Sequence, residues 1–147
     1  MIDTNIFTTN SYKQTQKLGE ILAKELKGGE IVCLSGELGS GKTTFAQGVL
    51  SGLGAKKPYT SPTFVVMKHY KQKATTRKSK LENIYHVDAY RVEPKDILDL
   101  GWEEIIAKKN NIIIVEWAER IKNIIPQNAL WLKFEHMNKK ERKISIK

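Results

Sequence analysis

Residues 36–43 read Gly-Glu-Leu-Gly-Ser-Gly-Lys-Thr and match the P-loop pattern G-x-x-x-x-G-K-[ST]. In such a loop the glycines allow successive backbone N–H groups to surround the oxygens of a polyphosphate. Lys42 can reach the β- and γ-phosphates, and the hydroxyl of Thr43 can bind Mg²⁺. The start of the following helix adds a partial positive charge at the same place. The motif therefore predicts a site for a nucleoside triphosphate with Mg²⁺.

Two acidic residues follow apolar runs of the type that form buried strands. Asp88 comes directly after Tyr85-His86-Val87, and Glu116 comes directly after residues 112–115. A P-loop enzyme needs a carboxylate at the end of a neighbouring strand, where it binds Mg²⁺ directly or through water. Strand-end acids also occur simply as the first residue of a turn. We expect the pair to be functional, and the sequence leaves open which of the two contacts the ion.

A hydroxyl-rich loop and a tryptophan lie close to these acids in the sequence. Ser61-Pro62-Thr63 could act as a switch that senses the γ-phosphate, although composition by itself favours an ordinary Ser-Pro turn. Trp117 could stack on a partner or a base, and core packing is the more frequent role of an aromatic residue there. His86 is interpreted as a packed strand histidine. Arg91 could stabilise transition-state charge or pair with Glu93.

The elements that must position these residues alternate between helical and strand patterns. Apolar residues at three- and four-residue spacing predict helices, and short apolar runs predict strands. Helices are predicted over 11–27, with Ser11 as N-cap, over 43–53 and over 96–108; strands are predicted over 30–35, 64–70, 81–88, 111–115, 130–134 and 143–146. Residues 71–80 contain no acidic residue and are predicted to form a mobile hairpin tip. The pattern indicates an α/β, single-domain P-loop NTPase fold with a mostly parallel central sheet, flanking helices and antiparallel additions.

Length and composition narrow the class of protein. A chain of 147 residues with 40% hydrophobic and 28% charged residues is typical of one globular domain. No apolar run approaches the length of a membrane span, and the first residues lack a signal-peptide pattern, so we expect a cytoplasmic protein. The single cysteine, Cys33, is expected in the core. The net charge of +9 suits a polyanionic partner or, equally, a surface of solvated lysines.

Four motifs, taken together, resemble the TsaE (formerly YjeE) family of bacterial P-loop ATPases. These are Gly36 to Phe45, Ser61-Pro62-Thr63-Phe64, His86-Val87-Asp88-Ala89-Tyr90-Arg91 and Val115-Glu116-Trp117. They occur in the order and spacing of the family, and the resemblance extends from the first helix to the C-terminal strands. Proteins of this family are needed to make threonylcarbamoyladenosine (t6A37) beside the anticodon of tRNAs that read ANN codons.

The resemblance implies roles for individual residues. Residues of the P-loop would hold the phosphates of ATP, namely Gly39, Ser40, Gly41, Lys42, Thr43 and Thr44. Thr43 and Glu116 would bind Mg²⁺, Asp88 would be a catalytic or metal-associated acid, and Ser61-Pro62-Thr63 would be the switch. Tyr12 and Thr15 would lie near the adenine. In the family a basic residue in the C-terminal strands also reaches the nucleotide. Lys140 best fits that position, with Arg142 close behind.

The resemblance also implies partners: the protein would bind a TsaD–TsaB assembly, meet tRNA through that complex, and reset the assembly by slow ATP hydrolysis. Three other readings stay open. A small nucleotide or metabolite kinase would phosphorylate an acceptor other than water, but residues 68–80 contain a single arginine, Arg77, where a kinase lid needs several. A GTPase would need a guanine-reading Asn-Lys-x-Asp motif, which the sequence lacks. An RNA-binding module with a structural ATP would bind tRNA by itself with a strong salt dependence.

Overall fold

Strands and helices alternate along the chain in the computed structural model, which describes residues 5–73 and 81–146. The elements are β1 (Asn5–Thr9), α1 (Tyr12–Ala23), β2 (Ile31–Gly36), α2 (Lys42–Gly52), β3 (Met67–Lys71), β4 (Asn83–Asp88), α3 (Pro94–Leu98), α4 (Trp102–Ala107), β5 (Asn111–Glu116), a 3₁₀ segment (Ala118–Ile124), β6 (Leu130–His136) and β7 (Arg142–Ile146). The predicted α/β class is confirmed. Most of the predicted hairpin tip, residues 74–80, lies outside the described residues.

One mixed sheet joins the seven described strands in the order β1-β7-β6-β2-β5-β4-β3. The prediction of a mostly parallel sheet is wrong: β6–β2, β2–β5 and β5–β4 pair in parallel, and the outer pairs β1–β7, β7–β6 and β4–β3 are antiparallel. Parallel neighbours need a long crossover, whereas residues 137–141 between β6 and β7 permit only a reversal of the chain. The predicted antiparallel pair near the C-terminus is thus confirmed.

The centre of the sheet is covered on both faces. All six residues of β5 are buried, which explains why this strand reads as a continuous apolar run. On one face, alternate residues such as Ile112 and Ile114 pack with residues of α1 and α2 in one core cluster. On the other face, Ile113 and Val115 join a cluster that includes residues of α3, α4 and the 3₁₀ segment. Cys33 is in this second cluster, and burial raises the pKa of its thiol to about 12, as expected of a core residue.

Several predicted boundaries were wrong, for local reasons. Ser11 does cap α1, because its side chain accepts a hydrogen bond from the Gln14 N–H, but the helix ends at Ala23 and not at residue 27. The single helix predicted over 96–108 is two helices, α3 and α4, separated where Gly101 has φ of 88°. None of the described helices is long and apolar enough to cross a membrane.

One predicted strand began too early, and one strand was not predicted at all. Strand β3 begins at Met67 and not at Phe64, because the N–H groups of Val65 and Val66 both donate to the Pro62 carbonyl in a tight turn. Strand β1 was missed, since four of its five residues are exposed and give no alternating pattern. Its hydrogen-bonding partner, β7, lies at the other end of the sequence.

The close contact between α1 and α2 depends on glycine residues. A Cβ added to Gly48 would overlap the backbone of Gln16, and one added to Gly19 would overlap the Phe45 carbonyl. We therefore expect Gly48→Ala to lower the free energy of unfolding by about 1–3 kcal/mol, despite the higher helix propensity of alanine. Thermal unfolding followed by circular dichroism measures this, with Gln47→Ala on the same helix as control. An unchanged or higher midpoint for Gly48→Ala would show that the helices are not in close contact there.

Candidate nucleotide-binding site

A cleft of about 820 Å³ opens where the carboxyl ends of β2, β4 and β5 meet the start of α2. Carboxyl ends of parallel strands are the usual place for ligands in α/β proteins. Strands β4 and β5 are parallel neighbours in a register that places Asp88 beside Glu116. The cleft is lined by most of the residues singled out in the sequence, namely Tyr12, Thr15, Gly39, Gly41, Lys42, Thr43, Thr44, Thr63, Asp88, Arg91, Glu116, Trp117, Lys140 and Arg142.

The P-loop forms the floor of this cleft and needs its glycines at two points. Gly36 has φ of 135°, and a Cβ there would overlap the carbonyl oxygen of Phe134 on β6. Gly41 has φ of 102° and caps α2, so the backbone turns into the helix in a conformation that L-residues with a side chain rarely adopt. The helix start faces the cleft, where its free N–H groups can meet an anion.

Lys42 is held inside the loop and is 4% exposed. Its ammonium group donates to the carbonyl oxygens of Gly36 at 2.7 Å and Glu37 at 2.8 Å, and it lies 4.0 Å from the centroid of the Trp117 ring. Burial lowers the pKa of this amine, while the nearby carboxylates, Glu116 first among them, act in the opposite direction. The cation is therefore oriented by neutral carbonyls that a phosphate oxygen can replace.

Thr43 and Glu116 form the polar contact at the mouth of the loop. The Thr43 hydroxyl donates to Oε1 of Glu116 at 2.7 Å, and Glu116 is 2% exposed. A hydroxyl and a carboxylate side by side at the start of the P-loop helix are the oxygen ligands that Mg²⁺ takes when it keeps waters and substrate phosphates as its other ligands. These residues therefore fit a magnesium site of the P-loop type.

Asp88 faces a different set of donors. Its Oδ2 accepts from the Thr63 hydroxyl at 3.1 Å, and its Oδ1 accepts from the Tyr90 N–H at 2.9 Å. The hydroxyls of Ser61 and Thr63 are 2.7 Å apart, and Pro62 behind them is buried. The hydroxyl-rich loop is thus joined to Asp88, whereas the Thr43 hydroxyl is joined to Glu116.

Residues of α1, of the turn between β6 and β7 and of the start of β7 also line the cleft. Tyr12 is 64% exposed, whereas Thr15 is 2% exposed and its hydroxyl lies 2.7 Å from that of Thr9. Lys140 lines the cleft from the turn. Arg142 also lines it, but its guanidinium donates to the Asn138 and Lys139 carbonyls of the turn itself. These bonds fix the shape of the turn that carries the lysine.

Trp117 is half-buried and has φ of 57°, in the left-handed region that favours glycine. Besides Lys42, its ring packs on Tyr90, with centroids 4.7 Å apart, and the Arg120 guanidinium lies 5.7 Å away. The side chain therefore packs partly against the second core cluster and partly against groups of the cleft, and its stacking on a partner or a base stays a prediction.

Sequence reasoning missed other groups that the fold brings to the site. Lys139 lines the cleft beside Lys140, and Glu119 accepts a hydrogen bond from the Gly36 N–H at 3.3 Å. His86 was interpreted as a packed residue, but its Nε2 is 2.6 Å from Oε2 of Glu116. A signal for His86 was present: it precedes Asp88 by two residues, so both side chains lie on the same face of a strand.

Comparison with known proteins finds similarity in both sequence and fold. Residues 9–144 match the family model "Threonylcarbamoyl adenosine biosynthesis protein TsaE". Proteins named "tRNA threonylcarbamoyladenosine biosynthesis protein TsaE" are similar to this chain in Rickettsia conorii, at 37% identity over 95% of this chain and 75% of the relative, and in Aquifex aeolicus, at 38% identity over 92% and 90%. The crystal structure of YdiB from Bacillus subtilis superposes with a TM-score of 0.76 at 29% identity, over 99% of this chain and 86% of that one.

The matched region contains the P-loop, both strand-end acids, the hydroxyl-rich loop and the turn that carries Lys140. The similarity in sequence and the similarity in fold both extend over nearly the whole chain. The protein therefore belongs to the TsaE family.

Proposed function

We propose that this protein is a Mg²⁺-dependent ATPase that acts in the biosynthesis of threonylcarbamoyladenosine in tRNA. The observation that carries the proposal is that one cleft is lined both by Lys42, which is held inside the P-loop, and by the hydrogen-bonded pair Thr43 and Glu116. The names of the similar proteins supply the pathway. The proposed compartment is the cytoplasm, where tRNA is modified.

Binding of ATP would use groups that are already oriented. The backbone N–H groups of residues 39–44 would surround the phosphates, and Lys42 would exchange its two carbonyl partners for phosphate oxygens. Thr43 and Glu116 would hold Mg²⁺, which when bound neutralises charge on the phosphates. Tyr12 and Thr15, which line the cleft, would lie near the adenine, and Lys140, which lines it too, would reach the nucleotide.

Hydrolysis would need a water held in line with the γ-phosphate. Asp88 is the proposed residue for this step, because it is 7% exposed and lines the cleft with Glu116. Its link to the Thr63 hydroxyl couples it to the hydroxyl-rich loop. A γ-phosphate that binds Ser61 or Thr63 would change this hydrogen bond. The loop would therefore act as a switch that distinguishes bound ATP from its product ADP.

Exposed apolar side chains lie close to this loop in the sequence and at the tip of the P-loop. Phe64 is 86% exposed and Val65 is 56% exposed, in the turn that follows Thr63, and Leu38 at the tip of the P-loop is 74% exposed. Exposed apolar side chains clustered at a cleft are a common mark of a protein interface. We propose that a TsaD–TsaB complex binds over these exposed apolar side chains and brings the protein to tRNA. Groups supplied by a partner can complete a P-loop site and accelerate hydrolysis by about 10³- to 10⁵-fold.

Phosphate release from ATP, measured with and without the TsaD–TsaB complex, tests this function. We expect the isolated chain to hydrolyse ATP slowly and the complex to raise the rate by at least about tenfold. We also expect ATP, but not GTP, to compete for the nucleotide site. Phe64→Ser should bind ATP like the unaltered protein and lose the gain, whereas Leu98→Ser, on an exposed site of α3, should keep it. Fast hydrolysis by the isolated chain with no gain, or phosphoryl transfer to an acceptor other than water, would contradict the proposal.

A further inference from the structure

His86 occupies a position that the strand pattern reserves for an apolar residue. On β4 it alternates with Ile84, and its neighbour across the parallel register on β5 is Ile114. Both isoleucines belong to the core cluster under α1 and α2, and His86 itself is 0% exposed. A buried polar side chain costs free energy unless it is hydrogen-bonded, so a histidine here calls for a reason.

The contacts of the ring point to Glu116. His86 Nε2 lies 2.6 Å from Oε2 of Glu116, while Oε1 of the same carboxylate accepts from Thr43 at 2.7 Å. Within the part of the chain that the structure describes, Nδ1 of His86 has no hydrogen-bonding partner. The ring is thus anchored at one atom, and that atom engages the carboxylate oxygen that faces away from the P-loop.

We propose that His86 is a positioning residue for Glu116, which rests on the proposed function of the cleft. By donating from Nε2 to Oε2, His86 fixes the rotation of the carboxylate, so that Oε1 stays directed at Thr43, the residue with which Glu116 would hold Mg²⁺. Partners that orient a metal ligand in this way typically change metal affinity by about 10- to 100-fold when they are removed.

Glutamine and methionine at position 86 form a matched pair for the test. The two side chains are unbranched and similar in size, but the glutamine amide can donate a hydrogen bond to Glu116 and methionine cannot. The quantity measured is the gain in affinity for a non-hydrolysable ATP analogue when Mg²⁺ is added, by calorimetry, and it does not depend on turnover. We expect His86→Met to reduce this gain about 10-fold or more, to leave the Mg²⁺-free affinity within about twofold, and to be partly rescued in His86→Gln.

A double-mutant cycle shows whether the effect passes through the acid. In a Glu116→Gln background, replacing His86 with methionine should change the Mg²⁺ effect by less than about twofold. An unchanged gain in His86→Met, or an equal loss in both backgrounds, would overturn the inference while leaving the proposed function intact. The loss of folded structure in both His86 variants, seen by circular dichroism, would also overturn it in favour of a packing role. Absence of any Mg²⁺-dependent gain in the unaltered protein would instead contradict the proposed function.

Discussion

Replacing Lys42 with alanine is expected to lower the affinity for ATP by about 10- to 100-fold. A hydrogen bond that involves a charged group contributes about 1.5–3 kcal/mol, and each 1.4 kcal/mol is a factor of ten in affinity. The ammonium group has its two carbonyl partners within 2.8 Å inside the P-loop, so little reorganisation is needed before it binds a phosphate. Calorimetric titration with ATP measures the loss.

The comparison with AMP makes this prediction specific. AMP lacks the β- and γ-phosphates, so its affinity should change by less than about threefold in Lys42→Ala, since its single phosphate can still use the backbone N–H groups. Lys17→Ala removes one positive charge from the exposed surface of α1 and controls for the lower net charge. An equal loss of AMP and ATP binding would mean that the substitution disrupts the P-loop as a whole, and no loss would remove Lys42 from the site.

Replacing Glu116 with glutamine is expected to reduce Mg²⁺-dependent ATP hydrolysis by about 100-fold or more. A bound metal ion is worth several kcal/mol of transition-state stabilisation, and each 1.36 kcal/mol is tenfold in rate. Glutamine has nearly the shape of glutamate, so the contact with Thr43 can persist while the charge that attracts the ion is lost. Phosphate release at saturating ATP, with Mg²⁺ varied, measures the effect. Affinity for ATP without Mg²⁺ should be spared.

Two neighbouring carboxylates serve as comparisons. Glu119 contacts the Gly36 N–H from an exposed position, so Glu119→Gln should retain most of the Mg²⁺-dependent activity. Asp88→Asn should reduce hydrolysis with a smaller change in the Mg²⁺ requirement, because Asp88 is joined to Thr63 and not to Thr43. Normal hydrolysis by Glu116→Gln would transfer the role of metal ligand to Asp88.

Much of the site followed from local sequence because its chemistry is local. The P-loop is one uninterrupted segment, and the strand, turn and helix around it were predicted within a few residues of β2 and α2. Asp88 and Glu116 were recognised because each ends a buried run, and parallel strands bring their ends to the same edge. Ser11 was recognised because the bond of an N-cap spans three residues.

The failures involve contacts between distant segments. The proportion of parallel pairing was wrong because strand direction depends on how the chain reverses at its ends. Strand β1 pairs with β7, which is more than 130 residues away, as in the pairing of Asn5 with Ile146. The bond between His86 and Glu116 joins side chains thirty residues apart in the sequence. The sequence indicates a histidine packed in a strand, but it does not indicate which acid that histidine contacts.

The sequence by itself determined that a P-loop motif lies between a strand and a helix, that two acids end buried strands, and that the family is TsaE. These features depend on residue types and on their spacing and order along the chain. The tertiary structure decided that Glu116, and not Asp88, contacts Thr43, that Asp88 joins the hydroxyl-rich loop, and that His86 stands behind Glu116. The reason is physical: a hydrogen bond depends on distances of a few ångströms between atoms, and those distances are set by the register and packing of strands that meet only in the folded chain.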